Sequence, residues 1–364
     1  MSEESELQAV RERIDRLDEQ VEALISERAA AALEIARIKQ AYGAAETADQ
    51  FYRPEREVAV LQRVKQRNHG PLSDEEMVRL FRELMSACLA LQQPLTVAYL
   101  GPEGTYTQAA ANKHFGHSVQ TRPLGSIGEV FREVESGEAH FGVVPVENST
   151  EGVVSHTLDL FMNSPLYICG EVALRIHHYL LGVGERLEGV RRVYSHQQSL
   201  AQCRAWLDTH LPKAQRIALA SNAEAARVVR DDAQAAAIAS EAAAEMYRLG
   251  IMAKNIEDQP ENTTRFLVIG RQAAARSGKD KTSLLLSTRN EAGGLYRLLR
   301  PLVEHGISMT RIESRPSRRG MWDYVFFVDA QGHIEDDNMR EALRELEREA
   351  GMYKFLGSYP CAVL

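Results

Sequence analysis

The chain has 364 residues, of which 44% are hydrophobic and 26% are charged, and its formal net charge is −8. This length predicts two or three domains, because one hydrophobic core seldom serves so many residues. An ordinary soluble composition with an acidic balance argues against nucleic-acid binding. It leaves small anions open as ligands, since a local pocket can be positive on an acidic protein.

The four cysteines lack the spacing of a zinc site or of a disulfide framework. The first residues are acidic and contain no apolar signal-peptide core, and no apolar run reaches the length of a membrane span. We therefore expect a cytoplasmic protein that has no membrane partner and needs no metal or other cofactor.

Residues 1–94 are predicted to form long helices. Apolar residues recur in steps of three and four from Leu7 to Leu24, which indicates a heptad seam. The same stepping places Arg28 where an apolar residue is expected. A helix over residues 7–42 would be about 54 Å long. Because a small domain cannot cover such a helix, we expect it to pack against another chain.

Cationic side chains of this helix suggest a site for an anion. Lys39 lies about 20° around the helix from Arg28 and about 16 Å along it. Arg11 lies about 25 Å away and about 100° around, so it can reach the same site only from a second subunit. A buried unpaired cation is costly, which favours a bound anion. The alternative is that Arg28 sets the register of a structural coiled coil and extends its charge into solvent.

Two further helices are predicted in this region. Pro54 is typical of a helix start, and the segment that it opens runs to about Asn68. Ser73 and Glu76 form a capping box for the next helix, which Pro94 ends.

Several features of residues 1–94 occur in one combination: the run Val10–Asp18, Arg28, Lys39, the run Pro54–Glu57, and Gln92. This combination resembles the all-helical chorismate mutase domain, which forms an intertwined dimer. The resemblance implies a Claisen rearrangement of chorismate to prephenate. That reaction needs no nucleophile, only a positioned conformer and stabilisation of the charge on the breaking ether oxygen.

The resemblance also implies catalytic roles for five residues. Arg11 and Arg28 would clamp the two carboxylates of chorismate, because a guanidinium fits a carboxylate bidentately. Lys39 and Gln92 would donate to the ether oxygen, and Glu55 would accept from the ring hydroxyl.

Two positions depart from the family pattern. Phe51 stands near the place of an acidic loop residue, and Cys88, which would contact the substrate, replaces a serine. The first departure weakens any assignment of a hydroxyl partner in that loop, and the second exchanges a hydroxyl for a weaker thiol donor.

Residues 95–275 change to short apolar strands that alternate with helical stretches, which predicts a two-lobed, doubly wound α/β domain with its ligand between the lobes. The segment contains neither a P-loop nor a G-x-G-x-x-G motif, which argues against a nicotinamide-dependent dehydrogenase. The pair His177–His178 lacks metal-ligand spacing and is interpreted as the end of a strand. The adjacent Ser195 and His196 do not suit a nucleophile–base pair.

Four segments of this region occur together: Gly101–Tyr106, Val143–Ser149, Tyr194–His196 with Gln202–Cys203, and Asn262–Phe266. They resemble prephenate dehydratase, which has a fold like that of periplasmic binding proteins. The resemblance implies loss of carbon dioxide and hydroxide from prephenate to leave phenylpyruvate.

Hydroxide is a poor leaving group, so the reaction needs a hydrogen-bond or proton donor. The resemblance assigns that role to Thr264, which we interpret as a positioned donor. Taken alone, Thr264 and Arg265 would be typical of a strand start with a surface cation. The implied substrate-binding residues are Asn148, Ser149, Ser195, Gln202 and Arg265, the last of which would pair with a carboxylate.

Residues 276–364 are predicted to form a ferredoxin-like βαββαβ unit. The run Gly293–Tyr296 at a helix start and the run Glu313–Pro316 after a strand resemble the ACT domain. The alternative is a structural dimerisation module. The resemblance implies a phenylalanine site in which the helix N-terminus binds the carboxylate and Glu313 binds the ammonium. Its residues would be Gly293, Gly294, Leu295, Glu313, Ser314, Arg315 and Pro316.

Over the whole chain, the order of these parts resembles the bifunctional chorismate mutase/prephenate dehydratase family. The expected partners are chorismate, prephenate, phenylalanine as a feedback inhibitor, and a second copy of the chain. Two alternatives are a non-enzymatic small-molecule sensor and a dehydratase whose mutase part is impaired.

Overall fold

The computed structural model describes residues 3–42, 52–184, 186–288, 291–317 and 324–362. The chain divides into two compact units. The first contains residues 1–52, 63–95 and 115–120, and the second contains residues 53–62, 96–114 and 121–364. No helix among the described residues is both long enough and apolar enough to cross a membrane.

The first unit is built on long helices, as predicted. Its elements are α1 (Glu3–Ala41), α3 (Asp74–Gln92) and the end of α2 (Pro54–Arg67). The hydroxyl of Ser73 accepts from the backbone N–H of Glu76, so the predicted cap is confirmed. The seam residues from Leu7 to Leu24 remain between 49% and 64% exposed. Within a single chain, the apolar stripe of α1 is therefore uncovered over most of its length.

The second unit contains two lobes that correspond to the predicted α/β region, each with its own sheet. The first lobe has the strand order β2-β1-β3-β11-β5, with β4 paired to β3. Its strands are β1 (Thr96–Leu100), β2 (Gln120–Leu124), β3 (Phe141–Asn148), β4 (Gly152–Val153), β5 (Tyr167–Arg175) and β11 (Thr263–Gly270). Its helices are α4 (Tyr106–Phe115), α5 (Ile127–Ser136) and α6 (Ser155–Phe161).

The second lobe has the strand order β10-β6-β9-β7-β8. Its strands are β6 (Tyr179–Gly182), β7 (Arg192–His196), β8 (Gln215–Leu219), β9 (Ala235–Ala239) and β10 (Gly250–Ala253). Its helices are α7 (Gln197–Gln202), α8 (Arg204–His210), α9 (Asn222–Val229) and α10 (Glu241–Tyr247). Strand β9 is fully buried, and it consists of alanines and one isoleucine, small enough for helices to pack closely on it.

The remaining elements of the second unit form the predicted βαββαβ order, which is confirmed. They are β12 (Asp280–Ser287), α11 (Gly294–Glu304), β13 (Met309–Pro316), β14 (Tyr324–Gln331), α12 (Asp337–Glu349) and β15 (Met352–Pro360). The strands form an antiparallel sheet in the order β13-β14-β12-β15.

This third sheet has two buried faces. Leu284 and Leu286 pack against α11 and α12, whereas the alternate residue Leu285 joins the core of the first lobe. The first lobe and the βαββαβ unit therefore share one continuous hydrophobic core.

Candidate functional site

A cleft of about 1140 Å³ lies between the two lobes of the second unit. Its wall includes the ends of β3 and β11, the turn before α4, and the N-terminus of α9. Thr264 and Asn148 face each other across the strand pair β11–β3. The cleft has the position expected for a ligand site in a two-lobed α/β protein, at the ends of strands.

A β-bulge aims Asn148 into this cleft. Val144 and Val146 of β3 point into the hydrophobic core, so simple alternation would send Asn148 there too. The pairing register shifts between Arg265 and Phe266, and the shift reverses the alternation. Asn148 and Thr264 consequently share the cleft side of the sheet.

Hydrogen bonds tie four polar side chains into a ring to which Thr264 is attached; three of the four line the cleft, and the fourth, Thr150, does not. Asn148 Nδ2 donates to Thr264 Oγ1 at 2.7 Å and to Asn262 Oδ1 at 2.8 Å. Asn262 Nδ2 donates to Gln202 Oε1 at 3.1 Å, and Gln202 Nε2 donates to Thr150 Oγ1 at 3.1 Å. Thr150 Oγ1 closes the ring by donating to Asn148 Oδ1 at 2.6 Å. Because Thr264 accepts within this network, its own hydroxyl hydrogen remains to be donated into the cleft.

Three of the predicted substrate residues are thus brought together: Thr264, Asn148 and Gln202. Ser149 does not line the cleft; its hydroxyl accepts from the backbone N–H of Thr263 at 2.9 Å. Ser195 is fully buried and lies 2.8 Å from Asn222 Oδ1, and it is Asn222 that reaches the cleft. Substrate contact by Ser149 and Ser195 is therefore not supported; both hold neighbouring segments in place.

The expectation that Arg265 pairs with a substrate carboxylate is also not supported. Neighbouring residues of a strand point to opposite faces of the sheet. Thr264 faces the cleft, so the side chain of Arg265 faces the third sheet. Its guanidinium binds Glu171 at 2.8 Å and Asp329 at 2.6 Å. Burial lowers the pKa of Arg265, but Tyr359, Asp329 and Glu171 together raise it, so the charge is retained.

Sequence reasoning did not predict several groups that line the cleft, among them Tyr106, His178, Asn222, Arg227 and Asn262. Tyr106 and Asn262 lie within segments on which the resemblance rests, so those motifs already pointed to this part of the chain. His178 was interpreted as the end of a strand, but it lies in the link between β5, which ends at Arg175, and β6, which begins at Tyr179. Nothing in its local pattern indicated a side chain in the cleft wall.

In the first unit, Arg28 contacts Cys88. The Nη1 atom of Arg28 lies 2.9 Å from the sulfur of Cys88, and both residues are at least partly buried. Lys39 lies partly buried on the same helix, whereas Arg11 is exposed. The thiol therefore occupies a position from which it orients the Arg28 guanidinium.

The other predicted residues of the helical region lie at helix ends. Gln92 is the last residue of α3 and is partly buried. Glu55 is in the first turn of α2, 3.5 Å from Arg53. Phe51 lies outside the described residues.

In the βαββαβ unit, Gly293 and Gly294 begin α11, and Gly293 has a φ of 76°, a left-handed conformation that glycine adopts readily. Leu295 is 38% exposed beside them. Glu313, Ser314 and Pro316 are on β13 and are partly or fully exposed.

Arg315 does not lie free for an effector. Its guanidinium donates to Ser155 Oγ at 2.7 Å and to Asp159 Oδ1 at 3.1 Å, both on α6. The expected phenylalanine contact of Arg315 is therefore not supported, because the side chain instead joins the unit to the first lobe.

Within the described ranges, no three His, Cys, Asp or Glu side chains are grouped so that they could hold a metal ion.

Comparison with known proteins covers all three regions. The family models described as chorismate mutase type II, prephenate dehydratase and ACT domain match residues 10–93, 97–274 and 282–348. A curated protein of Stutzerimonas stutzeri named bifunctional chorismate mutase/prephenate dehydratase is 56% identical over 366 residues, which is 100% of both chains.

Two of the similar solved structures each match about three quarters of the chain. A prephenate dehydratase of Arthrobacter aurescens in complex with L-Phe is 34% identical, with a TM-score of 0.68 over 73% of this chain and 90% of the other. A protein described as a novel type of quorum quenching acylase is 31% identical, with a TM-score of 0.66 over 74% of this chain and 98% of the other. The fold alone therefore does not determine which reaction is catalysed. The residues that line the cleft have to be considered as well.

Proposed function

The chain belongs to the bifunctional chorismate mutase/prephenate dehydratase family, and from this premise we propose how its parts divide the work. The enzyme converts chorismate to prephenate and prephenate to phenylpyruvate. Residues 1–94 would carry the rearrangement, residues 95–275 the dehydration, and residues 276–364 the regulation by phenylalanine.

For the dehydration, Thr264 donates its hydroxyl hydrogen to the departing hydroxyl of prephenate. As the bond to the ring carboxylate breaks, carbon dioxide leaves, the electron pair of that bond completes the aromatic ring, and the ring C–O bond breaks. The hydroxyl departs as water with the proton of Thr264, and Thr264 regains a proton from solvent water, so the net products are phenylpyruvate, carbon dioxide and hydroxide. The bond from Asn148 to Thr264 supports this role, since an oxygen that already accepts is a more polarised donor. This hydrogen bond is the observation that carries the proposal.

A substrate carboxylate is assigned to Arg227 instead of Arg265. Arg227 lies on α9 and lines the cleft, and its ion pair with Glu224 is long, at 3.9 Å. The guanidinium is 62% exposed, so it can turn toward an anion without leaving a buried carboxylate unpaired.

The rearrangement is tested separately from the dehydration. Arg28→Ala is expected to slow the conversion of chorismate about 10²–10³-fold, because the substrate loses a charged donor. Arg37→Ala is the matched control, since Arg37 is exposed on the opposite side of α1 and is expected to leave the rate unchanged. An unchanged rate for Arg28→Ala would remove Arg28 from the site. Dehydration of added prephenate should continue in both variants.

We further propose that the mutase site is shared between two chains. The uncovered apolar seam of α1 and the exposure of Arg11 support a homodimer in which the partner's Arg11 completes the site of Arg28.

Co-expression of Arg11→Ala with Arg28→Ala tests this arrangement. Random pairing makes half of the dimers mixed, and one site in each mixed dimer retains both arginines. About a quarter of wild-type mutase activity should then return, although each variant alone is inactive. No recovery in dimers shown to be mixed would place both arginines in the same chain.

Phenylalanine is proposed to bind near Gly293, Gly294 and Glu313 and to inhibit the dehydration. The similar structure that contains L-Phe supports this assignment. A cytoplasmic location is proposed because the four cysteines are free thiols, which suits a reducing compartment.

A further inference from the structure

His178 is a buried histidine in the wall of the dehydration cleft, and the mechanism above leaves it without a role. It lies between β5 and β6 and is only 1% exposed. Its Nε2 atom is 2.9 Å from Gln202 Oε1, and its Nδ1 atom is 2.9 Å from the hydroxyl of Tyr106. Both ring nitrogens are therefore engaged by polar side chains of the cleft.

The direction of the hydrogen bonds around His178 can be derived from the backbone. The N–H groups of Thr150 and Glu151 both donate to Asn148 Oδ1 at 3.0 Å. A backbone N–H can only donate, so this atom of Asn148 is the oxygen and the other is the NH₂ group. Asn148 consequently donates to Thr264 and to Asn262.

The same reasoning extends through two more side chains. Asn262 receives a hydrogen bond on its oxygen, so its NH₂ group faces Gln202. The Gln202 atom that accepts from Asn262 is therefore its oxygen, and this oxygen also faces His178. An oxygen needs a donor opposite it, so Nε2 of His178 carries a hydrogen.

The other ring nitrogen is consistent with a neutral histidine. Burial lowers the pKa of His178, and burial raises the pKa of Tyr106 well above its ordinary value. The phenol of Tyr106 therefore keeps its hydrogen and donates it to the carbonyl oxygen of His177 at 2.8 Å, with Nδ1 of His178 2.9 Å from the same hydroxyl. Because Nε2 carries a hydrogen and the ring is neutral, Nδ1 carries none, which defines a single tautomer.

We propose that His178 is a positioning residue for the dehydration. Its Nε2–H holds the Gln202 oxygen in place, which fixes Asn262 and Asn148 in the orientation that leaves the Thr264 hydroxyl hydrogen free for the departing hydroxyl. The inference rests on the proposed role of Thr264. It excludes His178 as the acid itself, because Nε2–H is already donated to Gln202 and Nδ1 holds no hydrogen.

The backbone around His178 supports a fixed ring. Its N–H donates to Glu257 Oε2 at 2.9 Å, and the other carboxylate oxygen of Glu257 lies 2.9 Å from His177 Nδ1. Burial alone would raise the pKa of Glu257, but the N–H of His178 and the side chain of His177 lower it, so the carboxylate stays charged. Glu257 thus anchors the chain without touching the imidazole of His178.

Two substitutions at one position separate hydrogen bonding from packing. In His178→Gln, the side-chain NH₂ group can take the place of Nε2–H, whereas His178→Leu fills similar space without a donor. We expect His178→Leu to lower kcat for prephenate about 10- to 100-fold with KM changed less than about threefold, because the reacting geometry is lost rather than the binding. His178→Gln should recover most of that loss.

The control is His210→Asn, on α8 of the same lobe. The Nδ1 atom of His210 lies 2.9 Å from the carbonyl oxygen of Trp206, and the residue does not line the cleft, so both kcat and KM should stay within about twofold of wild type. The mutase rate of each full-length variant serves as an internal measure of active protein, since the residues proposed for that reaction belong to residues 1–94 and none of them lines the cleft.

Three results would overturn the proposal: wild-type kcat in His178→Leu, equal losses in His178→Leu and His178→Gln, or a rise in KM alone. Thr264→Val separates this inference from the proposed function. If Thr264→Val keeps its dehydration rate, the proposed role of Thr264 fails. If Thr264→Val is inactive while the two His178 variants behave alike, only the role of His178 fails.

Discussion

The two sides of the strand pair β3–β11 differ sharply in chemistry. On the cleft side, Asn148 belongs to a ring of neutral amides and one hydroxyl, and it donates to Thr264. On the opposite side, the adjacent residues Glu147 and Arg265 form ion pairs with the βαββαβ unit, through Arg311 and Asp329. On each strand, the residue proposed to act in the dehydration is therefore directly adjacent to the residue that contacts the regulatory sheet.

The group of charged side chains around Arg265 is largely buried. Arg265 is 17% exposed, and Glu171 and Asp329 are 8% exposed. Lys281 adds a second ion pair to Glu171 at 2.8 Å, and Arg265 Nη2 donates to the hydroxyl of Tyr359 at 3.0 Å. Buried charges tolerate little displacement, because an unpaired charge is expensive. A movement of the third sheet would therefore be transmitted to Arg265, and through the backbone to Thr264.

The largest expected effect is a loss of dehydration rate when only the cleft side of the strand pair is altered. Thr264→Val removes the hydroxyl with little change in volume, and dehydration should fall about 10²–10⁴-fold, the range for loss of a proton donor. Thr264→Ser should keep much of the rate because it keeps the hydroxyl. Phenylalanine binding, measured by calorimetry, should be unchanged in both variants. Loss of phenylalanine binding in Thr264→Val would show that the two sides are not separable.

The next largest effect is expected when an ion pair on the charged side of the strand pair is removed. Arg265→Met leaves Glu171 and Asp329 without their shared cation and should lower the free energy of unfolding by about 3 kcal/mol, measured by denaturant titration. Inhibition by phenylalanine should weaken severalfold or more, while the uninhibited dehydration rate changes less.

The control for Arg265 is Arg276→Met. Arg276 pairs with Asp336 but is 58% exposed, so its loss should cost less than about 1 kcal/mol and leave inhibition intact. Normal inhibition in Arg265→Met would show that this contact does not carry the regulatory signal.

A smaller effect concerns the arginine of the cleft side. Arg227→Ala should raise KM for prephenate about tenfold with kcat nearly unchanged, since the side chain would bind the substrate equally before and during the reaction. Arg230→Ala is the control, because Arg230 follows the same helix but pairs with Asp231 outside the cleft. If KM does not respond to Arg227→Ala, another group binds the carboxylate.

The smallest effect concerns the second ion pair of the charged side. Arg311 is 13% exposed but its partner Glu147 is 40% exposed, so solvent weakens their interaction. Arg311→Met should shift the phenylalanine concentration for half inhibition only about two- to threefold. A larger shift than in Arg265→Met would reverse the ranking of the two contacts.

Much of the architecture could be predicted because it depends on local patterns. Heptad spacing indicated α1, Ser73 with Glu76 indicated the start of α3, and period-two strands with helices between them indicated the βαββαβ order. The motif around Thr264 identified the strand that bears the proposed donor. In each of these cases the pattern that allows the prediction spans only a few neighbouring residues. Over so short a distance, backbone geometry alone relates the sequence to the structure.

The tertiary structure decided which side chains meet in the cleft. Alternation along β11 requires Thr264 and Arg265 to face opposite ways, but only the packing of the third sheet against the first lobe determines which of them meets the cleft. Asn148 faces the cleft because of a β-bulge that the local sequence pattern does not predict. His178 meets Gln202 across 24 residues and Tyr106 across 72. The family motif in the sequence could therefore point to Thr264 as the proposed donor, whereas its hydrogen-bonded supports depend on contacts that exist only after the two lobes have folded together.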